Sequence, residues 1–128
     1  MAYSILIVED EAIIALEISS LIKKMGHEVV GTAMRGEDAI ALAGIRHPTL
    51  VLMDIFLKGV MDGITAAEVI YHTYNIPVIY VTANSDLNTL DRAMKTRPFG
   101  YLTKPVSERD LQTAIETAIE KFHMLSPR

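Results

Sequence analysis

Polar side chains suited to phosphate and metal chemistry stand at the ends of apolar runs at four points of this 128-residue chain. They are Glu9 with Asp10, Asp54, Thr82 and Lys104. Carboxylate oxygens are the ligands that hard divalent cations such as Mg²⁺ prefer, and a carboxylate is also a nucleophile that forms acyl phosphates. A compact lysine charge and a hydroxyl donor suit the oxygens of a transferred phosphoryl group. If these side chains meet, they predict Mg²⁺-dependent phosphoryl transfer to Asp54.

The apolar runs are typical of strands covered on both faces, because they are continuously apolar rather than alternating. The predicted strands are Ile5–Val8, Val29–Ala33, Leu50–Met53, Val78–Val81 and Gly100–Thr103. Helical patterns occupy the segments between and after them, and Ile13 and Leu16 belong to the apolar pattern of the first. The predicted helices are Ala12–Met25, Gly36–Ile45, Gly63–Tyr74, Asp86–Lys95 and a last helix that opens at Ser107.

Strict alternation of strands and helices predicts an α/β fold with a parallel sheet, right-handed crossovers and helices on both faces. The common small solution is the flavodoxin-like doubly wound (βα)5 fold, a five-stranded parallel sheet of order 2-1-3-4-5. In that order the first and third strands are neighbours at the switch point, where ligands bind beyond the carboxyl ends of strands. We therefore expect Glu9, Asp10 and Asp54 to converge on one crevice, with Thr82 and Lys104 on its far wall. Converging carboxylates repel one another, which favours a bound cation.

Each of these residues also has a simpler explanation when it is taken alone. Glu9 and Asp10 favour the positive end of the helix that follows them. Thr82 and Asn84 are suited to capping a turn, and Lys104 alone is typical of a surface lysine. The joint placement at four strand ends is what favours a functional site over these separate roles.

Five segments resemble those of the receiver domains of two-component response regulators. They are Ile5–Glu11, Leu52–Asp54, Asp62–Gly63, Val81–Ala83 and Tyr101–Pro105. The resemblance runs from about Ser4 to the end of the last helix. It implies a domain that takes a phosphoryl group from the phosphohistidine of a sensor histidine kinase or a phosphotransfer protein, and then changes conformation.

The resemblance also implies a metal site and a phosphoacceptor. Asp54 is the expected phosphoacceptor, and Asp10 and Asp54 are the expected direct Mg²⁺ ligands. Glu9 is expected to help through a water molecule, and the main-chain carbonyl of Phe56 is expected to be a further ligand.

Switching roles follow from the same resemblance. Thr82 and Tyr101 resemble the switch pair, in which the ring of Tyr101 turns inward as Thr82 moves toward the phosphoryl group. Lys104 is expected to contact the phosphoryl group as well, and its bond to Pro105 is expected to be cis. Phe56 and Asn84 occupy positions that tune dephosphorylation in the family.

The chain departs from the commonest receiver pattern at two places. Its acidic pair is Glu-Asp where Asp-Asp is commoner, which should preserve the metal site. The loop over Ile55–Met61 is one residue longer than the commonest form and lacks its proline. It is similar to a receiver subgroup that is attached to sensor kinases or works beside them.

Composition narrows the function classes further. The formal net charge of −4 disfavours nucleic acid as a direct partner, and no apolar run approaches the ~20 residues that a membrane helix needs. We therefore expect one receiver domain over residues 1–128 with no output domain, located in the cytoplasm. It would act on another, unknown downstream protein, with a phosphorylation-dependent homodimer as one route, and would catalyse only its own phosphorylation and dephosphorylation.

Three other readings compete with this prediction. A phosphatase of the haloacid dehalogenase type needs a second Asp two residues after the nucleophile, where this chain has Phe56. A degenerate receiver would bind partners without phosphorylation, but the intact acidic residues argue against it. A flavin carrier on the same architecture would need a phosphate-cradling loop where the first strand instead ends in acids.

Overall fold

The computed structural model of the chain describes residues 2–83 and 86–125. Within these ranges five strands alternate with five helices. The strands are β1 (Ser4–Val8), β2 (Glu28–Ala33), β3 (Leu50–Met53), β4 (Val78–Thr82) and β5 (Gly100–Thr103). The helices are α1 (Ala12–Lys24), α2 (Gly36–Arg46), α3 (Gly63–Tyr74), α4 (Leu87–Lys95) and α5 (Glu108–Leu125). The predicted bounds differ from these by no more than one residue.

The strands form one parallel sheet of order β2-β1-β3-β4-β5, so the predicted flavodoxin-like doubly wound fold is confirmed. The first strand is central to this arrangement because it pairs with both β2 and β3. Val8 lies opposite Met53 in the register of β1 with β3. The residues that follow these two strands therefore leave the sheet side by side, which is what the site requires.

The sheet separates two apolar layers, which explains why the central strands are continuously apolar. In β1, Leu6 and Val8 belong to the layer under α2, α3 and α4, whereas Ile5 and Ile7 belong to the layer under α1 and α5. All four side chains are at most 1% exposed. The edge strands β2 and β5 have partly exposed residues. Their position at the edge explains why their sequences are the weaker strand patterns.

Local side chains and backbone conformations fix the helix ends. Asp62, Asp86 and Ser107 accept hydrogen bonds from backbone N–H groups at the starts of α3, α4 and α5. Helices α2 and α3 end at His47 and Asn75, which have left-handed backbones with φ of 48° and 58°. These caps set where each crossover returns to the sheet.

One surface of α1 differs from the sequence expectation. Ile18 and Ile22 pack in the layer beneath α1, but Ile13 and Leu16 are 73% and 68% exposed. The apolar residues of this helix occupy more than one face, and the sheet can cover only one of them. An apolar strip of α1 therefore remains accessible next to the carboxyl ends of the strands.

No helix in the described part of the chain combines the length and apolarity needed to cross a membrane.

His27 gives the fold a predicted pH dependence. The backbone N–H of Tyr3 donates to His27 Nδ1 at 3.1 Å, and the two rings stack at 5.2 Å. Burial is the main cause that lowers the pKa of His27 below its ordinary value. Because the unfolded chain then binds the proton more readily, this contribution to stability is present above about pH 6.5 and is lost below it.

We expect the urea midpoint of the wild type to fall more between pH 7 and pH 5 than that of a His27→Gln variant. Chemical denaturation at the two pH values, followed by circular dichroism, makes the comparison. Equal losses in the two proteins would contradict the role given to His27.

Candidate functional site

The ends of β1 and β3 bring three carboxylates together. The backbone N–H of Asp54 donates to the carbonyl of Val8 at 2.9 Å, which locks the two strand ends in register. Glu9, Asp10 and Asp54 each place a carboxylate oxygen within 4.8 Å of the others. Glu9 and Asp54 are 3% and 5% exposed, whereas Asp10 is half-buried. The structure thus brings together the three acids that the sequence predicted to converge.

Lys104 supplies the positive charge in this cluster. Its Nζ donates to Asp54 Oδ2 at 3.0 Å and also to Glu9 Oε1. Its backbone N–H donates to the carbonyl of Thr82 at 2.9 Å, so the end of β4 positions it, and the Lys104–Pro105 bond is cis. Burial acts to lower the pKa of Lys104, but the bonds to Glu9 and Asp54 outweigh it and raise the pKa. Lys104 is therefore held as a cation inside the site.

The hydrogen bonds and the pKa of Glu9 show how far the negative charges of the cluster are compensated. Its Oε2 accepts the backbone N–H of Glu11 at 2.9 Å, while its other oxygen takes the bond from Lys104. Burial, with a contribution from the charge of Asp54, nevertheless raises the pKa of Glu9 above its ordinary value. One lysine does not fully compensate three neighbouring acids, so the site favours an additional positive charge.

The loop after Asp54 positions this carboxylate from the other side. Asp54 Oδ1 accepts the backbone N–H of Phe56 at 3.2 Å, and the side chain of Phe56 is 47% exposed. The backbone N–H of Gly63 donates to the carbonyl of Ile55 at 2.8 Å, which brings the first turn of α3 against the loop. A Cβ atom at Gly63 would lie 1.9 Å from the carbonyl oxygen of Asp54. Only glycine allows this approach.

Gly63 is a functional position whose role was not predicted from the sequence, although it belongs to the Asp62–Gly63 motif. The sequence did carry a sign of this role, because a glycine stands at the first position of a helix, where its conformational freedom is not needed. A close approach to another backbone is the usual reason for such a glycine.

The predicted switch residues lie on the strands at the far side of the site. Thr82 is the last residue of β4 and is fully buried, and Tyr101 of β5 is half-buried. The ring of Tyr101 meets the ring of Tyr80 edge-on at 6.3 Å. The Tyr80 hydroxyl in turn shares a hydrogen bond of 2.9 Å with Thr96 at the end of α4. Asn84, expected to tune dephosphorylation, lies outside the described residues.

The donor atoms of the cluster fit a hard divalent cation. Glu9, Asp10 and Asp54 offer only oxygen ligands, and their negative charge exceeds the charge of Lys104. Sites with a few carboxylates and room for other oxygen ligands are typical of Mg²⁺. The residues present therefore fit the metal that the sequence predicted.

A family model described as "Response regulator receiver domain" matches residues 5–116, which include all of these side chains. The chain belongs to this receiver family. The expectation drawn from the sequence motifs is therefore confirmed at the level of the family. The family therefore places this chain among the receiver domains of signalling proteins of the response regulator class.

Individual relatives agree with this assignment. The receiver is 37% identical over 122 residues to the transcriptional regulatory protein PdtaR of Mycobacterium tuberculosis, covering 95% of this chain and 59% of that protein. It is 31% identical over 120 residues to the phyllosphere-induced regulator PhyR of Methylorubrum extorquens, covering 93% of this chain and 44% of the relative. The receiver thus spans about half the length of these curated relatives.

The solved structures agree as well. The signal receiver domain of a modulated diguanylate cyclase from Desulfovibrio desulfuricans G20 superposes with a TM-score of 0.92 at 35% sequence identity. The match covers 97% of this chain and 98% of that domain. The fold of this chain is therefore that of a receiver domain.

The contact at Gly63 gives a testable prediction. We expect Gly63→Ala to lower the free energy of unfolding by about 1–3 kcal/mol, because the added methyl group displaces either α3 or the backbone of Asp54. Gly31→Ala is the matched control, since a Cβ there meets nothing closer than 3.6 Å. Its cost should stay below about 1 kcal/mol. Urea denaturation compares the two variants, and equal costs would show that the close approach is unimportant.

Proposed function

We propose that Asp54 accepts a phosphoryl group from the phosphohistidine of a sensor histidine kinase or a phosphotransfer protein, and that Mg²⁺ is required. The observation that carries this proposal is the meeting of Glu9, Asp10 and Asp54 with Lys104 at the strand ends of a receiver domain. Buried acids are costly unless they are compensated, so a fold with no use for the cluster would gain stability by losing one of them.

The chemistry is an in-line displacement at phosphorus. One carboxylate oxygen of Asp54 forms the new P–O bond, the P–N bond to the donor imidazole breaks, and its electron pair stays on the imidazole nitrogen. Phe56 N–H and Lys104 Nζ hold the two oxygens of Asp54, so the nucleophile is oriented before the donor arrives. Catalysis of such a transfer is mainly positioning and charge stabilisation.

The remaining residues stabilise the transferred group. A bound Mg²⁺, held by Asp10, Asp54, the main-chain carbonyl of Phe56 and, through water, Glu9, would neutralise charge on the phosphoryl oxygens. Lys104 Nζ, which donates two hydrogen bonds to carboxylates in this structure, adds a charge-assisted hydrogen bond to a phosphoryl oxygen. The Thr82 hydroxyl donates a further hydrogen bond to the same group.

These new contacts bias an equilibrium between two conformations of the receiver. A shift from 1:99 to 99:1 requires ~5.5 kcal/mol of differential stabilisation, and hydrogen bonds to charged groups contribute about 1.5–3 kcal/mol each. Two such bonds, from Lys104 and Thr82, would contribute about 3–6 kcal/mol together, so they supply much of this difference and reach all of it only at the upper end of the range. Tyr101 follows Thr82 inward, and the surface of α4, β5 and α5 changes.

The later steps of the signal complete the proposal. Water hydrolyses the acyl phosphate, with the exposed ring of Phe56 and the side chain of Asn84 tuning the rate. The altered surface is read in the cytoplasm by another protein or by a second copy of the receiver.

Labelling with acetyl phosphate tests the site directly. We expect wild-type protein with Mg²⁺ to gain the mass of one phosphoryl group, measured on the intact chain. Asp54→Asn should gain none, whereas Asp38→Asn, which removes an exposed acid from the first turn of α2, should be labelled normally. Full labelling of Asp54→Asn, or of wild type with a chelator in place of Mg²⁺, would refute the proposal.

Metal binding has a separate readout in thermal unfolding. A ligand at 100 times its dissociation constant stabilises the folded state by about 2.7 kcal/mol, so Mg²⁺ should raise the melting temperature of the wild type. Asp10→Asn should melt higher than wild type without Mg²⁺, because it relieves repulsion, and should lose most of the Mg²⁺ response. Asp38→Asn should keep the full response. A response retained in Asp10→Asn would remove Asp10 from the ligand set.

A further inference from the structure

The loops that follow β2 and β3 are joined into one rim beside the phosphoacceptor. Arg35 and Lys58 form an isolated parallel bridge between the two loops, although β1 lies between β2 and β3 in the sheet. We call the exposed side chains of these loops the loop rim; they belong to Met34, Arg35, Phe56, Lys58 and Val60. The rim begins two residues after Asp54, so anything bound to it lies against the site.

The geometry of the rim depends on one glycine. Gly59 has φ of +92°, a conformation that side chains rarely adopt. A Cβ atom there would lie 3.2 Å from Nη1 of Arg35, so the guanidinium rests against the bare backbone of Gly59. The longer loop noted in the sequence is thus held in place by the bridge, and a preordered surface loses less entropy when it binds a partner.

The charges of the rim are unbalanced. Arg35 and Lys58 have no ion pair within residues 2–83 and 86–125, and they stand opposite each other across the bridge. Like charges directly opposite one another in paired backbones are unfavourable. Acidic side chains on a partner would remove this repulsion and gain two charge-assisted contacts.

The rim is also apolar, and its apolar surface continues onto α1. Val60 is fully exposed, and Phe56 and Met34 are 47% and 45% exposed. Met34 and the exposed Leu16 of α1 line one depression of about 390 Å³. Exposed apolar side chains beside charged ones are typical of a protein-binding site.

We propose that the loop rim recognises the phosphodonor protein through acidic side chains set beside apolar ones on the surface of that donor. The inference rests on the proposed function and adds the surface that selects the donor. A second copy of the receiver is the weaker occupant, because each copy carries a net charge of −4 and would cover the acids of the site. A donor docked on the rim instead places its phosphohistidine next to Asp54.

The test compares transfer from a protein donor with labelling by a small one. The protein probe is an autophosphorylated histidine kinase, chosen from a purified set because it labels the wild type fastest. In Arg35→Gln/Lys58→Gln, we expect kcat/KM for transfer to fall at least tenfold at low salt, and its salt dependence to weaken, because charges at the edge of an interface mainly govern association. Labelling by acetyl phosphate should stay within twofold of wild type.

Matched variants separate the rim from general charge effects. Lys23→Gln/Arg46→Gln removes the same charge from the ends of α1 and α2 and should leave transfer within twofold. Val60→Ser should slow transfer several-fold, whereas Ile45→Ser, at a side chain 71% exposed on α2, should not. Melting curves check that all variants are folded.

Three results would overturn the inference. The first is equal transfer by the rim and control double variants. The second is a matching loss of acetyl phosphate labelling, which would mean that the rim attracts any anion. The third is a wild type that takes phosphate from acetyl phosphate but from none of the kinases. Failure of acetyl phosphate to label Asp54 in the wild type is a different result, because it removes the proposed function itself.

Discussion

Repulsion among Glu9, Asp10 and Asp54 is the constraint on which the rest of this structure depends. The parallel register of β1 with β3 forces the acids together, and the backbone bond from Asp54 to Val8 leaves the strand ends no freedom to separate. Lys104 offsets part of the repulsion by bonding two of the acids at once. The raised pKa of Glu9 indicates that burial still favours its neutral form. The sheet thus holds an excess of formal negative charge in place, and under the proposed function a divalent cation would offset it.

The surrounding fold serves to keep this imbalance rigid. Gly63 lets α3 pack directly on the carbonyl of Asp54, and the N–H of Phe56 fixes one oxygen of its side chain. On the other side, the end of β4 positions the backbone of Lys104. A nucleophile fixed by two strands and a helix needs little reorganisation during transfer. The loop rim is ordered in a similar way, because Lys58 is bridged to Arg35 and the guanidinium of Arg35 rests against Gly59.

The sequence predicted the fold and the residues that converge at the strand ends, because both follow from repeating patterns. Continuous apolar runs required two covered faces, and alternation with helices left one common topology, so residues after β1 and β3 had to meet. Contacts between loops follow no such pattern, which is why the pairing of Arg35 with Lys58 was not predicted. The double role of Lys104, bonded to Glu9 as well as to Asp54, also depends on side-chain reach. The exposure of Ile13 was missed because an apolar pattern does not say which side faces the sheet.

A comparison of interaction energies indicates which contacts would drive the proposed switch. Helix α4 is tied to the site loop by an ion pair of 2.8 Å between Arg92 and Asp62, but these side chains are 53% and 33% exposed. Such pairs contribute at most about 1 kcal/mol, well short of the ~5.5 kcal/mol that a full population shift needs. In the proposed switch we therefore expect the larger contribution from the buried side chains of Lys104 and Thr82, where charges interact with little screening. The ion pair between Arg92 and Asp62 nevertheless links α4 to the start of α3, because Asp62 also caps α3.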